Sequence, residues 1–184
     1  MSETLARYGR LADGFAATVA AVPPGRWESP SPCEGWTARD VVRHLVEVHG
    51  RILGLVDRSL GEIPDVAADP AGAFAAASAV VRAGLADPAV ASASYEGAFG
   101  RNTFEGAVNQ FLCFDLVVHR WDLARAAGVA EEMDPGEVSA LLAQLPALGD
   151  ALSRTGACAP PLDPPPGSDE QTRLLALLGR RAWP

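Results

Sequence analysis

The sequence predicts an all-α protein, a four-helix bundle with one or two additional C-terminal helices. Apolar residues recur at spacings of three and four along most of its length. Proline, glycine and capping residues punctuate those runs at helix-length intervals. No strand pattern of regular spacing interrupts them. With 184 residues, the chain reads as a single domain over 1–184, large enough for a full hydrophobic core.

The first helix is expected over about Glu3 to Val22, where Leu5, Tyr8, Leu11, Phe15, Val19 and Val22 form one face and Pro23, Pro24 and Gly25 stop it. An extended segment then leads to Thr37, a cap with Asp40 three residues on, close to a capping box. The second helix is predicted from there to about Gly61, with Val41, His44, Val48, Ile52 and Leu55 on one inward stripe and Val42, Leu45, His49, Leu53 and Val56 on the next. Asp69 and Pro70 open a third helix reaching about Ala86, alanine-rich and with Gly84 to permit close packing. Residues 89 to 101, containing Tyr95, Gly97, Phe99 and Gly100, read as a loop. A fourth helix follows from about Asn102 to Gly128, with Asn102 and Glu105 as a second capping-box candidate. Pro135 to about Leu152 is a further helix with Val138, Leu141, Leu142, Leu145 and Leu148 on one side. A proline-rich connector over 155–170 leads to a short last helix ending at Gly179, and residues 182 to 184 are expected to fray.

The 15 basic residues are all arginine against 23 acidic ones, for a net charge of −8. That balance argues against a nucleic-acid partner, which calls for a concentrated basic face. The polar, amphipathic N-terminus lacks the apolar core of a signal peptide, and no apolar run is long enough to span a bilayer, so no membrane association and a cytoplasmic location are expected. Cys33, Cys113 and Cys158 are odd in number and form no CxxC pair, as suits reduced thiols.

The stretch FLCFDLVVHRWDLARA in the fourth helix carries the chemistry. Phe104, Val108, Phe111, Asp115, His119, Asp122 and Ala126 follow one another in steps of four, three, four, four, three and four, a single helical stripe. Three polar side chains thus occupy core positions, and a buried charge costs several kcal/mol unless it is paired or binds a cation. Asp115 and His119, four apart, can share one divalent metal. His44, on the inward stripe of the second helix, is the natural third ligand. Two imidazoles and a carboxylate suit zinc, and iron(II), nickel or manganese also fit. Three protein ligands leave positions open, as in catalytic sites.

Plainer readings stand beside this one. Asp115 and His119 can be an internal pair, or the stripe a buried hydrogen-bond network without metal. Asp122 can accept a hydrogen bond from a ligand histidine, serve as a fourth ligand, or pair with Arg125. His49, five residues after His44, points about 140° away around the helix and reads as packing or rim. Trp36 and Trp121 read as core or pocket wall. Cys33, just before the second-helix cap, lies where a helix dipole lowers a thiol pKa, although lone thiols are commonly inert. There is no Gly-rich phosphate loop, no GxSxG and no Ser/His/Asp set.

SPCEGWTARDVVRHLVEVHGRI, then FDLVVHRWDLARAAG, then QTRLLALLGRR resemble, in order and spacing, the actinobacterial metal-binding branch of the DinB-like superfamily that includes the N-terminal domain of mycothiol-dependent maleylpyruvate isomerase. The resemblance covers nearly the whole chain. It implies a four-helix bundle binding a divalent metal, often zinc or nickel, through a histidine of the second helix and an acid-x-x-x-His pair of a later one: His44, Asp115 and His119. The isomerase pair is Glu-x-x-x-His, whereas here the acid is one methylene shorter. The isomerase also has a further C-terminal domain that helps form its active site, and this sequence shows a connector and one helix there, so maleylpyruvate isomerisation itself is not the expectation.

The resulting expectation is a metal-dependent thiol transferase or isomerase, with mycothiol or a similar small thiol as co-substrate and an electrophilic small molecule as substrate. Metal coordination would present the thiol as a thiolate, and the protein would need no nucleophile of its own. Essential Cys33 with dispensable metal would contradict this. The competing expectation is a non-catalytic metal-binding bundle acting in sensing, storage or protein interaction. Apolar faces on the alanine-rich helices are compatible with a homodimer.

Overall fold

The structure is a computed structural model and describes residues 2–97, 100–130, 132–154 and 159–183, with the backbone alone over 146–154. The expectations for Phe99, Cys158, Pro184 and residues 155–158 of the connector, and for the side chain of Leu148, fall outside those residues. The fold is all-α apart from one small hairpin. Helix α1 (Glu3–Ala21) is capped by Ser2, α2 (Ala38–Gly54) by the predicted Thr37–Asp40 capping box, and α3 (Pro70–Ala86) by Asp69 with Pro70 in its first turn. Each cap satisfies backbone N–H groups that the helix leaves unpaired.

The second helix ends seven residues before the expected Gly61. Arg58 N–H turns back to the Leu53 carbonyl, Asp57 adopts φ 56°, and the chain reverses so that Leu60 lies against Gly50. The expected loop over 89–101 is also more ordered than its sequence implies. It contains a one-turn helix α4 (Pro88–Ala91) and the antiparallel strands β1 (Ser94–Gly97) and β2 (Gly100–Thr103), with Tyr95 opposite Asn102. Asn102 therefore belongs to β2. The helix cap is Thr103, whose hydroxyl accepts from Gly106 N–H.

The fourth long helix is α5 (Phe104–Ala107), a π-helical turn (Val108–Leu112) and α6 (Cys113–Ala127), ended by Gly128 at φ 73°. The turn closes with Cys113 N–H donating to the Val108 carbonyl, five residues back. That wider turn adds a residue and moves the inward face. Leu112 is fully buried where the even α spacing assigns Phe111, which is only half-buried.

Helices α1 and α2 each pack against both α3 and α6, so the four long helices form the bundle. Its core joins Tyr8, Phe15, Leu45, Phe74, Phe104 and Leu116. Gly84 lets α3 close on the Phe104 ring: a Cβ there would stand 3.1 Å from Cε1. Helices α7 (Pro135–Arg154) and α8 (Glu170–Leu177) form a second layer, packing Val138, Leu141, Leu145, Leu174 and Leu178 on Val117 and Val118 of α6. The second layer buries the side of α6 that a bare four-helix bundle would expose, and α6 is therefore buried nearly all round. No helix among the described residues is long and apolar enough to cross a membrane.

Candidate metal centre

The segment before α2 is shaped by its own hydrogen bonds. Ser31 N–H donates to the Trp36 carbonyl at 2.8 Å and Trp36 N–H to the Cys33 carbonyl at 3.0 Å, with Gly35 at φ 75° making the turn. This loop delivers Trp36 to His119 and Cys33 to Asp122, midway along α6, and the Thr37 cap fixes the start of α2.

Packing of α2 on α6 brings His44, Asp115 and His119 together, with one donor atom from each lying within 4.8 Å of the others. His44 Nε2 is 3.4 Å from Asp115 Oδ2, and the His44 and His119 rings meet edge to face with centroids 4.7 Å apart. Trp36 walls the cluster, 4.8 Å from the His44 ring and 5.8 Å from the His119 ring between centroids. The side chains of His44 and Asp115 are each 22% exposed, whereas His119 is buried. The cluster is thus open on one side and closed on the other.

Behind His119 lies Asp122, fully buried, with its Oδ2 2.9 Å from His119 Nδ1. Its arginine partner is not the Arg125 considered from sequence. Arg180, just beyond α8, donates Nε to Oδ1 at 3.3 Å and Nη2 to Oδ2 at 3.0 Å. Burial disfavours the Asp122 charge, yet the His119 hydrogen bond and the Arg180 guanidinium hold its pKa down to about 2. Burial likewise disfavours the His119 imidazolium, and the Asp122 carboxylate, with Cys33 and Asp115, outweighs it and raises the pKa to about 10.

This donor set fits a divalent cation. Asp122 engages Nδ1 of His119, so Nε2 is the nitrogen that would face a cation, the usual arrangement behind a metal-bound histidine. A cation would take the place of a proton on that ring. Cys33, His119 and Asp122 also bring donor atoms within 4.8 Å of one another. That second set is ill suited to a cation, because the Arg180 guanidinium already contacts both Asp122 and, at 3.3 Å, Cys33 Sγ. Cys33 therefore lies in the polar layer behind His119, its Sγ 3.3 Å from Asp122 Oδ2.

His49 points away from the cluster, as its five-residue offset from His44 predicts. It is fully buried between the Tyr8 hydroxyl, 2.8 Å from Nε2, and the Leu45 carbonyl, 2.6 Å from Nδ1. Burial depresses its pKa to about 4, so the ring is neutral. Trp121 is buried with the Arg125 guanidinium over its ring. A pocket lined by Leu11, Val117, Arg120, Trp121 and Met133 opens on the opposite face of α6 and shares no residue with the cluster. Arg180 is the site residue that the sequence does not single out. Its signal is faint: an arginine directly after the helix-ending Gly179, inside the last of the three motifs.

Fold and site define a DinB-like helical bundle with a histidine–carboxylate cluster between two of its helices. Residues 8–124 match the family described as the mycothiol maleylpyruvate isomerase N-terminal domain, and the chain belongs to that family. The match includes His44, Asp115, His119 and Asp122, and ends before α7, α8 and Arg180. Two proteins of Mycobacterium tuberculosis, one from strain CDC 1551 / Oshkosh and one from strain H37Rv, both described as uncharacterized, are each 30% identical to this chain over 181 residues. The aligned region covers 97% of this chain and 98% of each relative. No solved structure matches the chain significantly.

Proposed function

We propose that the protein is a divalent-metal-dependent enzyme that uses mycothiol or a similar small thiol, acting as an S-transferase or isomerase on an electrophilic small molecule. The observation that carries this reading is the convergence of His44, Asp115 and His119 within 4.8 Å at a partly open site. Membership of the isomerase-domain family supplies the thiol.

In this reading His44, Asp115 and His119 hold the ion, with zinc favoured by two imidazoles and a carboxylate, and nickel or iron also suited. When bound, such an ion supplies Lewis acidity, which lowers the pKa of a coordinating thiol. The chain's own residues do the rest. Asp122 fixes the His119 tautomer, the Trp36 indole forms an apolar wall, and the exposed edges of His44 and Asp115 mark the side from which substrate enters.

Elemental analysis of protein purified without added metal or a histidine tag tests this, with His44→Ala and His119→Ala in parallel. Near-stoichiometric metal in the wild type, lost from both variants, is the expected result. It would be followed by assaying mycothiol conjugation to a panel of electrophiles. A wild type that stays metal-free when offered zinc and nickel would leave the cluster as a plain hydrogen-bond network. Metal without any thiol chemistry would leave a binding protein.

A further inference from the structure

The Asp122 carboxylate meets His119, the Cys33 thiol and a third group that comes from the far end of the chain. Arg180 is only 5% exposed, and its guanidinium is itself anchored: Nη1 donates to the Leu178 carbonyl at 2.8 Å, while Nε and Nη2 straddle the two Asp122 oxygens. Gly179 at φ 77° turns the backbone so that the side chain of Arg180 points back onto α6. An arginine fork on both oxygens fixes the plane of a carboxylate, which a single imidazole contact does not. The plane of Asp122 in turn sets the line along which His119 Nδ1 is held, and so where the opposite nitrogen points.

We propose that Arg180 is a positioning residue of the metal centre, clamping Asp122 so that it aims His119 Nε2 at the point shared with His44 and Asp115. This rests on the reading of His44, Asp115 and His119 as the ligand set. It makes α8 and the turn after it a part of the site, although both lie beyond the segment that matches the family.

Zinc titration of the metal-free full chain in competition with a chromogenic chelator tests it, with the visible spectrum of the cobalt(II) form as a second readout and circular dichroism reporting the fold. The variants are Arg180→Met, Arg180→Lys, Asp122→Asn and the Asp122→Asn/Arg180→Met double. Arg180→Met is expected to bind zinc about 10–100-fold more weakly with shifted cobalt bands, and Arg180→Lys to fall between it and the wild type. If the arginine acts through the carboxylate, the double variant binds as Asp122→Asn does alone. A purely structural role would instead make the two losses multiply. Wild-type affinity and spectrum in Arg180→Met, or multiplying losses, would overturn the proposal. Should Arg180→Met alone not fold, the asparagine background, which removes the unpaired buried charge, decides: further weakening there overturns the proposal. A wild type that takes neither zinc nor cobalt removes the ligand-set reading and this inference together. A wild type that binds, beside an unaffected Arg180→Met, removes only the inference.

Discussion

His44 on α2 and His119 on α6 meet edge to face, ring centroids 4.7 Å apart, yet one is half-buried and the other buried against a charged partner. Equal importance for metal binding should therefore go with unequal importance for folding. His44→Ala is expected to cost less than about 1 kcal/mol of stability, as for a substitution near the surface. His119→Ala removes a buried partner of Asp122 and should cost about 1–3 kcal/mol. Urea denaturation of the metal-free proteins checks this, and equal costs would mean that His119 is not held as described.

The Tyr8 hydroxyl and His49 Nε2, 2.8 Å apart in the core, make stability fall on mild acidification. His49 has a pKa of about 4 in the fold against 6.5 for the free side chain. Between those values the unfolded chain binds a proton that the native one does not, so stability rises with pH across the window and is lost as pH falls through it. The span corresponds to about 3 kcal/mol. Denaturation midpoints at pH 7 and pH 4.5 should differ accordingly, and His49→Gln, which does not titrate, should flatten the curve. Tyr8→Phe at neutral pH should cost about 1–3 kcal/mol by leaving the ring nitrogen without its donor.

Gly179 admits no side chain. A Cβ there would stand 2.6 Å from the Ala159 Cβ and 2.7 Å from its carbonyl oxygen, at a φ of 77°. Gly179→Ala should cost about 1–3 kcal/mol from the backbone conformation, before the clash is counted. Because Arg180 is the next residue, zinc affinity should fall with it. A variant with wild-type melting temperature and wild-type zinc affinity would contradict the docking of the C-terminal turn.

At Gly84 the obstacle is an aromatic ring instead of backbone. Phe104 is fully buried and cannot retreat, so Gly84→Val should destabilise by about 1–3 kcal/mol through overpacking, despite replacing a helical glycine. Thermal denaturation decides, and a raised melting temperature would show that α3 and α5 can separate at little cost.

Much of this was legible in the residues. The spacing of three and four from Leu5 to Val22, the Thr37–Asp40 cap and the Asp69–Pro70 start correspond to α1, α2 and α3, because caps and amphipathic faces are local properties. His44, Asp115 and His119 could be chosen as a group because a polar side chain on an inward stripe is costly and demands a partner. The early end of α2 and the hairpin of β1 and β2 were not legible. Exposed residues around Asp57 and Tyr95 carry weak patterns, and packing decides their path. The π-helical turn was hidden for a similar reason: Phe111 and Leu112 are both apolar, so the residue pattern fits either phase.

By itself, the sequence determined an all-α bundle, the family it belongs to, and the three side chains most in need of a common partner. Only the tertiary structure decided that α2 packs on α6 closely enough to bring His44 to Asp115, that the Cys33 thiol meets Asp122, and that Arg180 reaches Asp122. The physical reason is range. Helix periodicity and capping act over a few residues and are written in local spacing, whereas the pairing of a buried carboxylate depends on which distant cation the packed chain delivers to it.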